Sequence, residues 1–177
     1  MKRYHLKVIG ILCASVAILY SCQKEGIETQ TPQEEVITSL GNLRSATPSF
    51  NLEVILRGEG KRFGHVKFRQ DVDPGKTIVL GTWVRDLKPN HRYLLQRAVD
   101  PINVVDGNCT STSWLTLGKG LTPQSILTDD RGTGNEELWR SVSMIPTGSA
   151  FDIHFRVVDA LNMSVVLTSD CYQYVVR

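Results

Sequence analysis

The chain has 177 residues, 41% of them hydrophobic and 21% charged, with a formal net charge of +2, enough apolar side chain for one domain of ordinary size. Three of the cationic residues, Lys2, Arg3 and Lys7, precede the first apolar run, and without them the balance is 2 − 3 = −1. That excludes the basic surface a nucleic-acid partner needs.

Met1 to Lys7 carries those three cations and no acid, and about thirteen mostly apolar residues follow, Val8 to Tyr20. Such a run is too short to span a bilayer and has the length of a signal-peptide core. It closes on Leu19-Tyr20-Ser21-Cys22 and turns polar at Gln23-Lys24-Glu25. This ending resembles the lipobox of bacterial lipoproteins, with Tyr20 where most lipoboxes carry a small residue. Cys13 is a poor rival because bulky Leu12 precedes it.

The resemblance implies that residues 1–21 are a cleaved signal peptide, that the Cys22 sulfur is diacylated, and that the new amine is usually acylated too. Two or three acyl chains hold a protein to a membrane essentially permanently. Gln23 in place of Asp after the cysteine is similar to the sorting state of outer-membrane lipoproteins. Gln23-Lys24-Glu25 also looks like the short export tag of surface-exposed lipoproteins in some Gram-negative anaerobes, with a plain solvated tether as the alternative. The expected setting is the cell envelope, with the membrane as partner through lipid.

With Cys13 removed and Cys22 acylated, Cys109 and Cys171 remain as a pair in an oxidising compartment, and a disulfide between them is expected. A zinc or redox role is the alternative, but no C-x-x-C spacing is present and no His lies close in sequence to either.

Residues 22–49 are rich in Gln, Glu, Thr, Ser and Pro and read as a flexible stalk. A short helix from Pro32 to Leu43 would fit the spacing of Val36, Leu40 and Leu43, though such a segment is marginal alone.

From residue 50 to 177 short apolar stretches alternate with Gly, Pro, Asn and Asp, the punctuation of an all-β sandwich. Phe50–Arg57 reads as the first strand, and Arg57-Gly58-Glu59-Gly60-Lys61 as a glycine-bearing hairpin turn into the strand around His65–Arg69. There Val66 and Phe68 face in while His65, Lys67 and Arg69 face water. Asp73-Pro74-Gly75 turns the chain again, and Thr77–Arg85, apolar on both faces, reads as a central strand.

Leu87-Lys88-Pro89-Asn90-His91-Arg92-Tyr93 resembles the tyrosine corner of fibronectin type III and related Greek-key sandwiches, where a phenol hydroxyl ties back to the turn's backbone. Asn90 stands where that family usually has Gly, and a left-handed residue tolerates Asn there. The likeness covers seven residues, and some eighty follow it where a fibronectin domain has about one strand left. It therefore implies the fold class, an all-β, immunoglobulin-like Greek-key β-sandwich, and not the strand order. Further strands are expected at 93–99, 113–117, 125–128, 138–144, 150–158, 164–168 and 171–176.

In 151–157 the alternation is strict: Phe151, Ile153, Phe155 and Val157 point to the core, and Asp152, His154 and Arg156 form a row on the open face. This row has the residue types of a small acid/base or anion-binding patch and is the best polar candidate for a site, against the reading of a solvated strand face. Asp129, Asp130, Glu136 and Glu137 could cradle calcium, but Arg131 sits among them and EF-hand spacing is absent. A hairpin turn with Gly132 and Gly134 at positive φ is the simpler reading. With His65, His91 and His154 scattered, no metal site or other cofactor is expected.

Trp83, Trp114 and Trp139, with Tyr172 and Tyr174, could stack on sugar rings, Trp83 and Trp114 being the chosen candidates, although about two of the three tryptophans would ordinarily be core. The leading functional reading is a non-catalytic binding or interaction module for a glycan, a protein partner or self-assembly. The rival is an envelope hydrolase acting on a glycan or ester with Asp152 or His154 as acid/base. An exposed aromatic platform favours the first, and a cleft converging on Asp152 and His154 the second.

Overall fold

A computed structural model describes residues 50–177, so the expected signal peptide, Cys22 and the stalk lie outside the described residues. The chain from Phe50 is all-β: β1 Phe50–Arg57, β2 Phe63–Gln70, β3 Thr77–Arg85, β4 Arg92–Val99, β5 Leu115–Thr116, β6 Gly118–Lys119, β7 Thr122–Pro123, β8 Ser125–Leu127, β9 Gly134–Ser141, β10 Ala150–Asp159, β11 Val165–Ser169 and β12 Tyr172–Val175. Among the described residues there is no helix.

The strands form one mixed sheet in the order β5-β4-β10-β11-β1-β2-β3-β9-β6-β7, with β8 beside β4 and β12 beside β10. Among the described residues only β6 and β9 run parallel. Two links bring the two ends of the main strand set together. An antiparallel bridge joins Thr128 to Gly134, connecting β8 on β4 to β9. The segment from Leu115 to Lys119 pairs first with β4 and then with β9. The sheet is therefore nearly closed into a barrel.

Period-two alternation fills the interior. Val54 and Leu56 of β1, Val66 and Phe68 of β2, Ile78, Leu80 and Val84 of β3, and Phe151, Ile153, Phe155 and Val157 of β10 are all buried. β3 is hydrogen-bonded on both sides, to β2 and β9, as its two apolar faces predict. Phe68 meets Tyr174 edge-on at 4.9 Å and Phe155 at 6.3 Å, the arrangement that ring quadrupoles favour.

The tyrosine corner is formed. The backbone N–H of Lys88 donates to the Tyr93 hydroxyl at 3.0 Å, Tyr93 is buried, and Asn90 adopts φ +49°. Thr128 locks the corner to the next turn: its hydroxyl donates to the Lys88 carbonyl at 2.6 Å and accepts from the His91 N–H at 3.0 Å. Gly132, at φ +75°, lets that turn lie against the corner, because a Cβ there would come 2.1 Å from the Leu87 carbonyl oxygen.

Two expectations about this region change. The strand expected at 138–144 spans Gly134–Ser141, since it pairs along the whole of β3, from Val84↔Gly134 to Thr77↔Ser141. Cross-strand register outweighs the polarity of Asn135, Glu136 and Glu137. The turn accordingly shrinks to Asp129–Thr133, tied by Asp129 Oδ1 accepting the Arg131 and Thr133 N–H groups. Gly134 is not at positive φ. Its lack of a side chain instead admits the Leu127 carbonyl oxygen, which a Cβ would meet at 2.7 Å.

Candidate functional site

The row Asp152, His154, Arg156 does not lie on an open face. The segment 101–114 roofs it, and the row's side chains hold that roof in place. Asp152, 1% exposed, accepts the Asp106 and Gly107 N–H groups through Oδ2 at 3.0 and 2.9 Å, while its buried Oδ1 has no hydrogen-bond partner. His154 Nε2 lies 3.0 Å from the Ser111 carbonyl oxygen, which fixes it as a donor. Trp114 packs over both remaining positions, 4.6 Å from the His154 ring and with the Arg156 guanidinium 4.0 Å from its centroid.

Arg156 Nε also donates to Gln96 Oε1 at 2.8 Å, and burial draws the guanidinium below its ordinary pKa. At the root of the segment Asp100 accepts the Thr110 N–H at 2.9 Å and the Ser111 N–H at 2.6 Å. The Cys109–Cys171 disulfide, with Cα atoms 5.4 Å apart, pins its middle to the residue before β12. Four of the candidates, Trp114, Asp152, His154 and Arg156, thus come together, but as the fastening of a loop. Nε2 of the His154 ring and one Asp152 carboxylate oxygen are thus already engaged to backbone.

Trp83 stands elsewhere, four strands removed in the sheet order, on the outer face of β1-β2-β3-β9. Register places three rows across this face: Ile55–His65–Trp83–Asn135, then Glu53–Lys67–Gly81–Glu137, then Asn51–Arg69–Val79–Trp139. Trp83 and Trp139 therefore stand on the same side, separated along the strands by four residues, about 13 Å at 3.3 Å per residue. Trp139 is 42% exposed and Trp83 half-buried.

The tryptophans depart from expectation, since none belongs to the buried core. The inward positions of β3 and β9 go to Ile78, Leu80, Val84 and Leu138, and alternation sends the neighbouring indoles outward. Both outward rings are braced. Trp83 meets Phe63 edge-on at 6.2 Å with the Arg85 guanidinium over the pair. Trp139 abuts Gly120 in the β6–β7 turn, where a Cβ would come 2.9 Å from the indole, and its carbonyl accepts the Gly120 N–H at 2.9 Å.

Beside Trp83, Gly81 leaves a shallow depression of about 320 Å³, bordered also by His65, Lys67, Asn135 and Glu137, with Trp139 outside its lining. His65 Nε2 lies 3.7 Å from Glu53 Oε2. The face offers aromatic surface beside a cation, carboxylates and an amide. Trp139 is one of the tryptophans considered from the sequence, and alternation from the buried Leu138 is what sends it outward. Among the described residues no group of three or more His, Cys, Asp and Glu side chains could hold a metal ion. No protein-family model matches this chain, and no curated protein matches it.

Proposed function

We propose that the chain is a non-catalytic binding module of the bacterial cell envelope, held to the membrane by acyl chains on Cys22, that takes a glycan on the Trp83–Trp139 face. The observation that carries the ligand reading is the pair of braced indoles on one outward face, with the Gly81 depression beside Trp83. Sugar rings present apolar C–H faces to aromatic surface and hydroxyls to flanking polar groups, and this face supplies both. Rigid, pre-positioned rings lose little conformational freedom on binding.

The finer fold reading goes with it: an immunoglobulin-like Greek-key sandwich whose two sheets merge through β11 and the Leu115–Lys119 segment. The formed tyrosine corner supports that reading. The outer-membrane setting rests on the Ser21-Cys22-Gln23 sequence.

A glycan array probed with the whole chain tests the ligand, alongside Trp83→Ala and Trp139→Ala. Binding to a defined glycan that falls at least tenfold in each variant supports the reading, and retention of full binding in both would sink it. Mass spectrometry of the protein from its native membrane tests the anchor: an unmodified Cys22 with Met1 still attached would remove it.

A further inference from the structure

The barrel interior is not completely filled, and the gap has charge at its edge. A cavity of about 140 Å³, close to the size that takes a benzene ring, is walled by Phe68, Leu80, Val99, Leu117, Phe151 and Phe155. It reaches the surface beside Ile102, which is exposed.

Two arginines line the same space, Arg97 of β4 and Arg140 of β9. Both occupy inward register positions, Arg97 after Tyr93 and Leu95, and Arg140 after Leu138, where alternation calls for an apolar residue. Neither guanidinium has a hydrogen-bond or ion-pair partner among the described residues. Burial and the neighbouring Arg140 charge pull Arg97 below its ordinary pKa. Two like charges beside an apolar chamber, neither of them in an ion pair, are costly unless an anion joins them. Planar guanidiniums suit carboxylates and phosphates, which they can hold bidentately.

We infer that this cavity is a binding site for a small apolar carboxylic acid, its ring or short alkyl body inside the barrel and its carboxylate held by Arg97 and Arg140. A monoanion suits the site better than a phosphate dianion. The third charged group on the lining is Asp100, whose carboxylate is turned to the Thr110 and Ser111 amides and still adds negative potential. The apolar rim also makes the larger desolvation of a dianion more costly. This site is separate from the Trp83–Trp139 face and does not depend on it.

The test is calorimetric titration of the full chain carrying Cys22→Ser, which has no thiol to acylate, with 3-phenylpropanoate, 3-phenylpropanamide and phenyl phosphate. The expected result is that the acid binds at least tenfold more tightly than the amide. Arg97→Gln and Arg140→Gln should each remove most of that preference. The comparison of ligands on the unsubstituted cavity stands even where a variant fails to fold. Equal binding of acid and amide, tighter binding of the phosphate, or no heat from the acid at millimolar concentration would each overturn the proposal.

Discussion

The Tyr174 hydroxyl donates to Gln70 Oε1 at 2.5 Å, and the same oxygen accepts the Arg177 N–H at 2.9 Å. Gln70 is wholly buried, and its Nε2 donates to the Arg177 carbonyl at 3.2 Å. One buried amide therefore satisfies a phenol and both backbone groups of Arg177, joining the end of β2 to the strand β12. A buried polar group left without its partner costs about 1–3 kcal/mol.

Replacement of Gln70 by Leu removes three hydrogen bonds at once and is expected to cost about 3 kcal/mol, whereas Tyr174→Phe removes the phenol's bond to that amide and costs about 1 kcal/mol. Urea denaturation gives both values. Equal losses in the two variants would show that the amide does not unite the cluster.

Loss of the disulfide should act chiefly through the unfolded chain. The bond closes 62 residues, worth about 4 kcal/mol in the loop-entropy account, while Asp100, Asp152 and His154 go on holding the segment it pins. Cys109→Ser with Cys171→Ser should lower the melting temperature by about 15 °C, yet leave the amide chemical shifts of Asp106, Gly107 and Ser111 little changed. Broadening of those amides would show instead that the sulfur bridge alone orders the roof.

Asp152→Ala removes the acceptor of two N–H groups beneath that roof and is expected to cost about 2 kcal/mol or more. Hydrogen exchange should quicken at Asp106 and Gly107 before it quickens in β10. If Asp152 were instead a solvent-facing acid, the substitution would change stability by less than about 0.5 kcal/mol.

Asp159 gives the fold an acid limit. It accepts the Leu161 N–H at 2.9 Å, meets His91 Nε2 at 2.9 Å and faces Lys88 Nζ at 3.5 Å. The Leu161 N–H first and the His91 hydrogen bond second lower its pKa to about 2, against an opposing push from burial. An unfolded aspartate titrates near ~3.9, so the folded state binds its proton later. The stability this contributes is complete above the unfolded value and is lost as pH falls through about 2. Denaturation midpoints of the wild type should therefore fall more steeply than those of Asp159→Asn between about pH 5 and pH 2, and parallel curves would refute the linkage.

Much of the strand pattern is legible in the residues, because it follows from alternation around a single interior: Val66 and Phe68 in, Lys67 and Arg69 out. The tyrosine corner is legible for a different reason, since Tyr93 and Asn90 meet local geometric demands that need no distant partner. What the residues conceal is which outward face another segment covers. His154 and Arg156 have the periodicity of a solvent face, and only the path of 101–114, fixed by contacts more than forty residues apart in sequence, puts Trp114 on top of them. The same nonlocality hides β6 and β7, two residues each, too short to carry a period. Arg97 and Arg140 break the inward pattern of their strands, but their convergence follows only from the near-closure of the sheet.

That near-closure also governs how molecules meet one another. Among the described residues the hydrogen-bonded order begins and ends in β5 and β7, each two residues long, so those two ends offer little backbone for another chain to lengthen the sheet, whereas β1 pairs with β11 only at Leu56 and Arg57. A crowded neighbour would therefore find more backbone to zip onto along the β11-facing side of β1, before Leu56, than at either end of the order.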